Sequence, residues 1–234
     1  MSPISERLKT YPRVLKRGPD HPKHLKVFTQ AIYLPNRLLR GRLLSQVDQA
    51  KSRDRNLRST LARLIEERAL FLGEFKGPSG GQSDYYIDMA MIFTEPTGLE
   101  IAISLTLGEL EKLDVDKIAS PSVEADPIVA VVGMHARLGS LFIHRGEPIY
   151  AYEKLENLLK SGRKVAIIAD VTLSGNTVLS AVKTLRAAGA AVKAAISLVD
   201  LQKGARDLLE SNGVRFIPLV EAKDITVPRK AEMP

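Results

Sequence analysis

The segment KVAIIADVTLSGNTVLSAVKTLRAAGA, Lys164 to Ala190, gathers the side chains best suited to chemistry in this chain. Thr172, Ser174, Asn176 and Thr177 bring hydroxyl and amide donors into one short stretch, and Gly175 lets the backbone turn tightly between them. An apolar run precedes these residues and a helical pattern follows. Backbone N–H groups at a helix start point to the same spot, and the helix dipole favours an anion there. Thr172, Leu173, Ser174, Gly175, Asn176 and Thr177 therefore form a candidate phosphate cradle. One acid, Asp170, stands just ahead of it, preceded by Ala169. An unliganded strand–helix turn rich in Ser, Thr and Asn would have the same composition, so the surroundings must decide.

KVAIIADV is apolar enough to be a strand covered on both faces. The helix NTVLSAVKTLRAAG after it stops at Gly189, a natural left-handed terminator. YYIDM, KIASPS, SLFIHR, AVKAAISLVD and RFIPLV read as further strands. Residues 97–113, DPIVAVVGMHARLG (ending near Gly139) and GARDLLESNG read as helices. Upstream, Leu57, Leu61, Leu64 and Ile65 recur at helical spacing behind a plausible Asn56 N-cap, and GEFKGPSGGQSD reads as a turn and loop. Alternating strands and helices predict a doubly wound α/β domain with a mostly parallel sheet. In such a sheet ligands gather outside the carboxyl ends of the strands, where the order reverses.

The chain has 234 residues, 44% hydrophobic and 26% charged, enough for one α/β domain with an appendage. It lacks Cys, which excludes disulfides, thiolate metal sites and a Cys nucleophile. No apolar run is long enough for a membrane span, and MSPISERLKTYPR has no secretory apolar core, so a cytoplasmic protein is expected. Charge is uneven: residues 1–55 hold thirteen Lys/Arg and four Asp/Glu, within chain totals of 34 and 27. Pro12, Pro19, Pro22 and Pro35 keep a long helix from forming before about residue 36. This basic extension could neutralise nucleic-acid phosphates, or it could be a solvated or subunit-contacting arm.

VAIIADVTLSGNTVLSAVKTLRAAGA resembles the phosphoribosyl-diphosphate motif of type I phosphoribosyltransferases. The likeness extends to LARLIEERALFLGEFKGPSGGQSDYYIDM and ISLVDLQKGARDLLESNGVRFIPLV, which are similar to the opening and closing segments of the orotate phosphoribosyltransferase family. It spans roughly residues 57–223. It implies a type I fold with a small hood over residues 56–234, and a homodimer. It also implies transfer of phosphoribose from phosphoribosyl diphosphate to orotate, with Mg²⁺, through an oxocarbenium-like transition state.

Site roles follow from the same resemblance. Asp170 is the one acid left for the ribose hydroxyls, since Ala169 replaces its usual neighbour. ASPSVEADP stands where the family has a Gly-rich diphosphate loop. There Glu124 and Asp126 either hold Mg²⁺ or cap the helix starting at Pro127. The family's mobile catalytic loop corresponds to IHRGEPIYAYEKLEN, which is short and keeps His144 and Arg145. His144 is either structural or catalytic. Base contacts fall to Lys76, Tyr85 and Tyr86, with Leu201 where an Arg would meet the orotate carboxylate. Three readings follow: a sensor of phosphoribosyl diphosphate or a nucleoside monophosphate, a divergent active transferase, or a structural subunit paired with an active relative.

Overall fold

The computed structural model describes residues 52–76, 82–150, 152–159 and 162–227. The basic extension, including the segment 36–50, lies almost wholly outside them. The first described helix, α1 (52–64), runs into a π-helical turn, Ile65–Ala69. Asn56 is inside this helix rather than at its start, and its carbonyl accepts the hydroxyls of Ser59 and Thr60. The π turn keeps Leu61, Ile65 and Ala69 fully buried along one line.

Strands β1 (Leu70–Lys76) and β2 (Gln82–Ile87) form an antiparallel hairpin, the expected hood. The Gly-Glu-Phe stretch is therefore strand rather than loop. Gly73, at φ +154°, sits in the irregularity between Leu72 and Phe75 and lets β1 bulge without losing its pairing. Short α2 (Ala90–Phe93) follows, its first N–H held by Asp88, and then α3 (Pro96–Leu110) with Pro at its start.

The main sheet contains β3 (Lys117–Ser120), β4 (Gly139–His144), β5 (Glu147–Pro148), β6 (Lys164–Thr172), β7 (Ala191–Asp200) and β8 (Arg215–Glu221). Their spatial order is β5-β4-β3-β6-β7-β8, all parallel except β5. Helices α4 (Asp126–Ala136), α5 (Tyr152–Leu159), α6 (Asn176–Ala187) and α7 (Ala205–Ser211) connect them. The chain moves outward from β3 to β4 and then crosses back to β6, so the order reverses between β3 and β6. One apolar cluster joins the sheet to α1, α3, α4 and the hood. A second fills the opposite face under α5, α6 and α7.

Two helix ends show why composition is not enough. Gly189, at φ +92°, closes α6 as expected: Ala190 N–H reaches the Leu185 carbonyl and Gly189 N–H that of Arg186. Helix α4 closes with the same pair of bonds, but the left-handed residue is Arg137 at φ 56°, not glycine, and Gly139 already belongs to β4. Helix α5 carries no start or stop signal strong enough to single it out; it is fixed by Leu155 and Leu159, both fully buried.

Arg58 binds α1 to the rest of the domain. Its guanidinium donates to the Pro218 and Leu219 carbonyls at 3.1 and 2.9 Å, to Glu109 at 2.5 Å and to Asp54 at 2.8 Å. Glu109 is buried and keeps a second partner in Lys112. Arg58→Ala is expected to cost about 2–3 kcal/mol, because it strands two carbonyls and half-pairs a buried carboxylate. Urea denaturation of the variant and the parent checks this.

Candidate functional site

Strand β6 ends at Thr172, a three-residue turn follows, and α6 starts at Asn176. Gly175 is required here twice. It sits at φ +80°, and a Cβ on it would lie 3.1 Å from the Cα of Ala205 at the head of α7. No side chain caps α6, so its first-turn N–H groups face the crevice at the carboxyl end of β6. That crevice adjoins the point where the strand order reverses.

Apart from Gly175, the cradle residues separate into two groups. Leu173, Asn176 and Thr177 are exposed and Ser174 half-buried, with the Asn176 amide donating to the Ser174 hydroxyl at 3.0 Å. Thr172 is buried, and its hydroxyl lies 2.8 Å from that of Ser197 in β7, which in turn donates to the Val199 carbonyl. Its side chain joins two strands.

Asp170 stands two residues before the end of β6 and is partly buried. Burial, more than any neighbour, pushes its carboxyl up to about 6, and the Glu124 and Asp88 carboxylates add to the rise while backbone N–H groups oppose it. Tyr86 is raised too, first by burial and then by Asp88, Asp170 and Glu124. Four groups, from β2 and the residue after it, from β6 and from the turn after β3, thus share one negative field, a grouping that sequence spacing does not disclose. Ala169 points the other way, into the apolar cluster beneath α6.

Asp126 does not cap α4. The N-cap is Ala125, and Asp126 is the first helical residue. One of its oxygens accepts the Ser120 hydroxyl, and the other lies 2.9 Å from His144 Nε2. An ionised carboxylate can only accept, so Nε2 carries the proton and His144 is held in one orientation. Among the described residues no group of three or more His, Asp or Glu could hold a metal ion. Asp126 takes part in a Ser120–Asp126–His144 chain of hydrogen bonds that ties β3, α4 and β4 together.

Arg145 occupies a tight turn. His144 pairs with Glu147 across Arg145 and Gly146, whose φ values are 53° and 84°, and the hairpin leads directly into β5. The Gly146 carbonyl accepts the Thr184 hydroxyl, and the space a side chain would need there is filled by Ser180 of α6. Of the base-contact candidates, Tyr85 packs into the core while Tyr86, on the other face of β2, is 47% exposed and stacks obliquely on Phe75. Lys76 ends β1, and its side chain lies outside what the structure describes. Leu201 is 8% exposed; beside it Asp200 is buried, raised chiefly by that burial, and accepts the Gln202 N–H at 2.9 Å.

No protein-family model matches the chain. The orotate phosphoribosyltransferase of Methanothermobacter thermautotrophicus is 33% identical over 177 residues, 75% of this chain and 97% of that protein. That of Methanopyrus kandleri is 34% identical over 171 residues, 72% of this chain and 91% of its own. The chain belongs to the orotate phosphoribosyltransferase family. A solved phosphoribosyltransferase from Corynebacterium diphtheriae superposes with a TM-score of 0.61 at 24% identity, over 74% of this chain and 99% of that one. The Aeropyrum pernix orotate phosphoribosyltransferase structure gives 0.59 at 24% identity, over 70% and 95%. These structures establish the shared type I phosphoribosyltransferase fold.

Two outcomes follow for this family member. A carboxyl whose folded value exceeds its unfolded one stabilises the native state only while protonated. That contribution is complete below pH 4 and disappears as pH rises through about 6. Asp170→Asn is therefore expected to be more stable than the parent by roughly 2 kcal/mol at pH 7, with the gain vanishing near pH 4. Denaturation midpoints across that range check it, and a pH-independent difference refutes it. Gly175→Ala is expected to cost about 1–2 kcal/mol through its left-handed backbone and the contact with Ala205, read from the thermal midpoint.

Proposed function

We propose that this chain binds the 5′-phosphate of a phosphorylated pentose, in phosphoribosyl diphosphate or a nucleoside monophosphate, at the first turn of α6. The bound ligand serves sensing or regulation rather than orotate transfer. The observation that carries this reading is the fold-back of β4 at Arg145–Gly146. The family resemblance places a long basic loop there to quench charge on the departing diphosphate. Here two residues close the turn, Gly146 is pinned to α6, and the next charge is Glu147. A closed hairpin cannot fold over a ligand, so this means of stabilising a leaving group is missing.

Other features agree. Leu201 offers no hydrogen bond to an orotate carboxylate, whose burial without a partner carries a large penalty. Ser174, Asn176 and Thr177, with the N–H groups of α6, take the phosphate. Asp170 takes a ribose hydroxyl, and Tyr86 rather than Tyr85 lies beside the base. Any Mg²⁺ would arrive with the diphosphate and keep most of its waters. No helix among the described residues is long and apolar enough to cross a membrane, and we place the protein in the cytoplasm as a homodimer. Residues 1–55 are left as the part able to reach nucleic acid.

The second reading, an active phosphoribosyltransferase for orotate or another base, is favoured by the identity that spans nearly all of the methanogen enzyme. Calorimetric titration with phosphoribosyl diphosphate, nucleoside monophosphates and orotate, with and without Mg²⁺, is run beside a pyrophosphate-release assay over a panel of bases. The sensing reading expects saturable binding of a 5′-phosphorylated ligand and no release. Turnover with any base replaces it by the second reading.

A further inference from the structure

We propose that Glu124 makes the pocket selective for a nucleoside 5′-monophosphate over a pentose carrying a 1-diphosphate, so that the ligand sensed is a finished nucleotide. The inference rests on the phosphate reading above and specifies its ligand. A ligand with its 5′-phosphate on α6 and a ribose hydroxyl on Asp170 lies along the last residues of β6. Its C1 substituent must then leave toward β3 or toward β7, the two strands flanking β6.

Toward β3, the single-turn helix Val123–Ala125 packs against β6 and presents the exposed Glu124, with Asp88 and Tyr86 at the end of β2. Toward β7, the opening is lined by Asp200, Gln202, Gly204, Ala205, Arg206 and Asp207. The Arg206 guanidinium is already engaged by Glu210 at 3.2 Å and Glu221 at 3.3 Å. A diphosphate would meet carboxylates on the first side and a committed cation on the second. A nucleobase brings no charge, and the half-exposed Tyr86 ring offers it a stacking face.

Glu124 cannot swing away with its backbone. Two residues after it, Asp126, the first residue of the helix, is fixed by Ser120 and His144, and Pro127 restricts the backbone of the first turn. The upward shift of Asp170, to which Glu124 and Asp88 both contribute, is the same field acting on a group already inside the pocket.

The test titrates the full-length chain with uridine 5′-monophosphate, adenosine 5′-monophosphate and phosphoribosyl diphosphate, in EDTA and again with Mg²⁺. In EDTA at least one monophosphate should bind about tenfold or more tighter than the diphosphate. Mg²⁺ should narrow the gap, and Glu124→Gln should narrow it in EDTA to within about threefold, mainly by improving the diphosphate. Glu124 is exposed on a turn, so the variant should unfold with the parent's midpoint, and Asp88→Asn provides an independent reduction of the same field. Equal affinities in the parent, or a ratio unchanged in both variants, overturn the role of Glu124 while leaving phosphate binding intact. No binding of any of the three ligands to the parent overturns the phosphate reading itself, and this inference falls with it.

Discussion

Strand β6 is covered on both faces, with Val165 to Ala169 each no more than 2% exposed between two apolar clusters. A strand so enclosed meets solvent only at its ends. Its carboxyl end lies where the strand order reverses, so the helices that cover the sheet part there and leave a crevice. Everything polar in the candidate site is arranged around that opening. Asp170 is the first side chain of β6 to emerge, Thr172 turns back to bind β7, and α6 then directs its unpaired N–H groups at the gap. Ala169 fits the same geometry. It faces the helices, where a carboxylate would have to shed its water without a partner.

Three further polar residues stiffen the neighbouring strand ends. Ser120, Asp126 and His144 come from β3, α4 and β4, and their hydrogen bonds join the ends of adjacent strands to the helix between them. On one side they lead into the turn that displays Glu124, and on the other into the Arg145–Gly146 hairpin. Both segments occupy places where the family resemblance calls for backbone that approaches or folds over a diphosphate. Here one is an acidic turn and the other a closed two-residue reversal packed on α6. The candidate site therefore combines a turn rich in hydrogen-bond donors with a rim of carboxylates, and the proposed ligand preference rests on that electrostatic contrast.

The sequence alone determined the mostly parallel sheet, its long central strands and the family. Each of these rests on local regularities: β6 and β7 are mostly apolar, Gly189 and Gly175 mark backbone that only glycine adopts at little cost, and α1 repeats its apolar residues at helical spacing. Where local signals were weak or could be satisfied in more than one way, the chain read differently from the fold. Arg137 ends α4 in the left-handed region because the following strand needs the reversal there. Gly73 bulges a strand instead of starting a loop. Asp126 passes over the helix cap for two partners outside its own helix.

Tertiary structure alone decided which side chains share a space. Thr172 and Ser174 stand two residues apart in the same motif, yet one joins two strands and the other accepts the Asn176 amide in the turn before α6. Tyr85 and Tyr86 are adjacent and fall on opposite faces of a strand. Asp88, Glu124 and Asp170 are far apart in the chain and meet only because the hood, the turn after β3 and the end of β6 converge. Hydrogen bonds and electrostatic fields depend on distance through space. Residue order fixes that distance along a helix or strand, and only the packing of those elements fixes it between them.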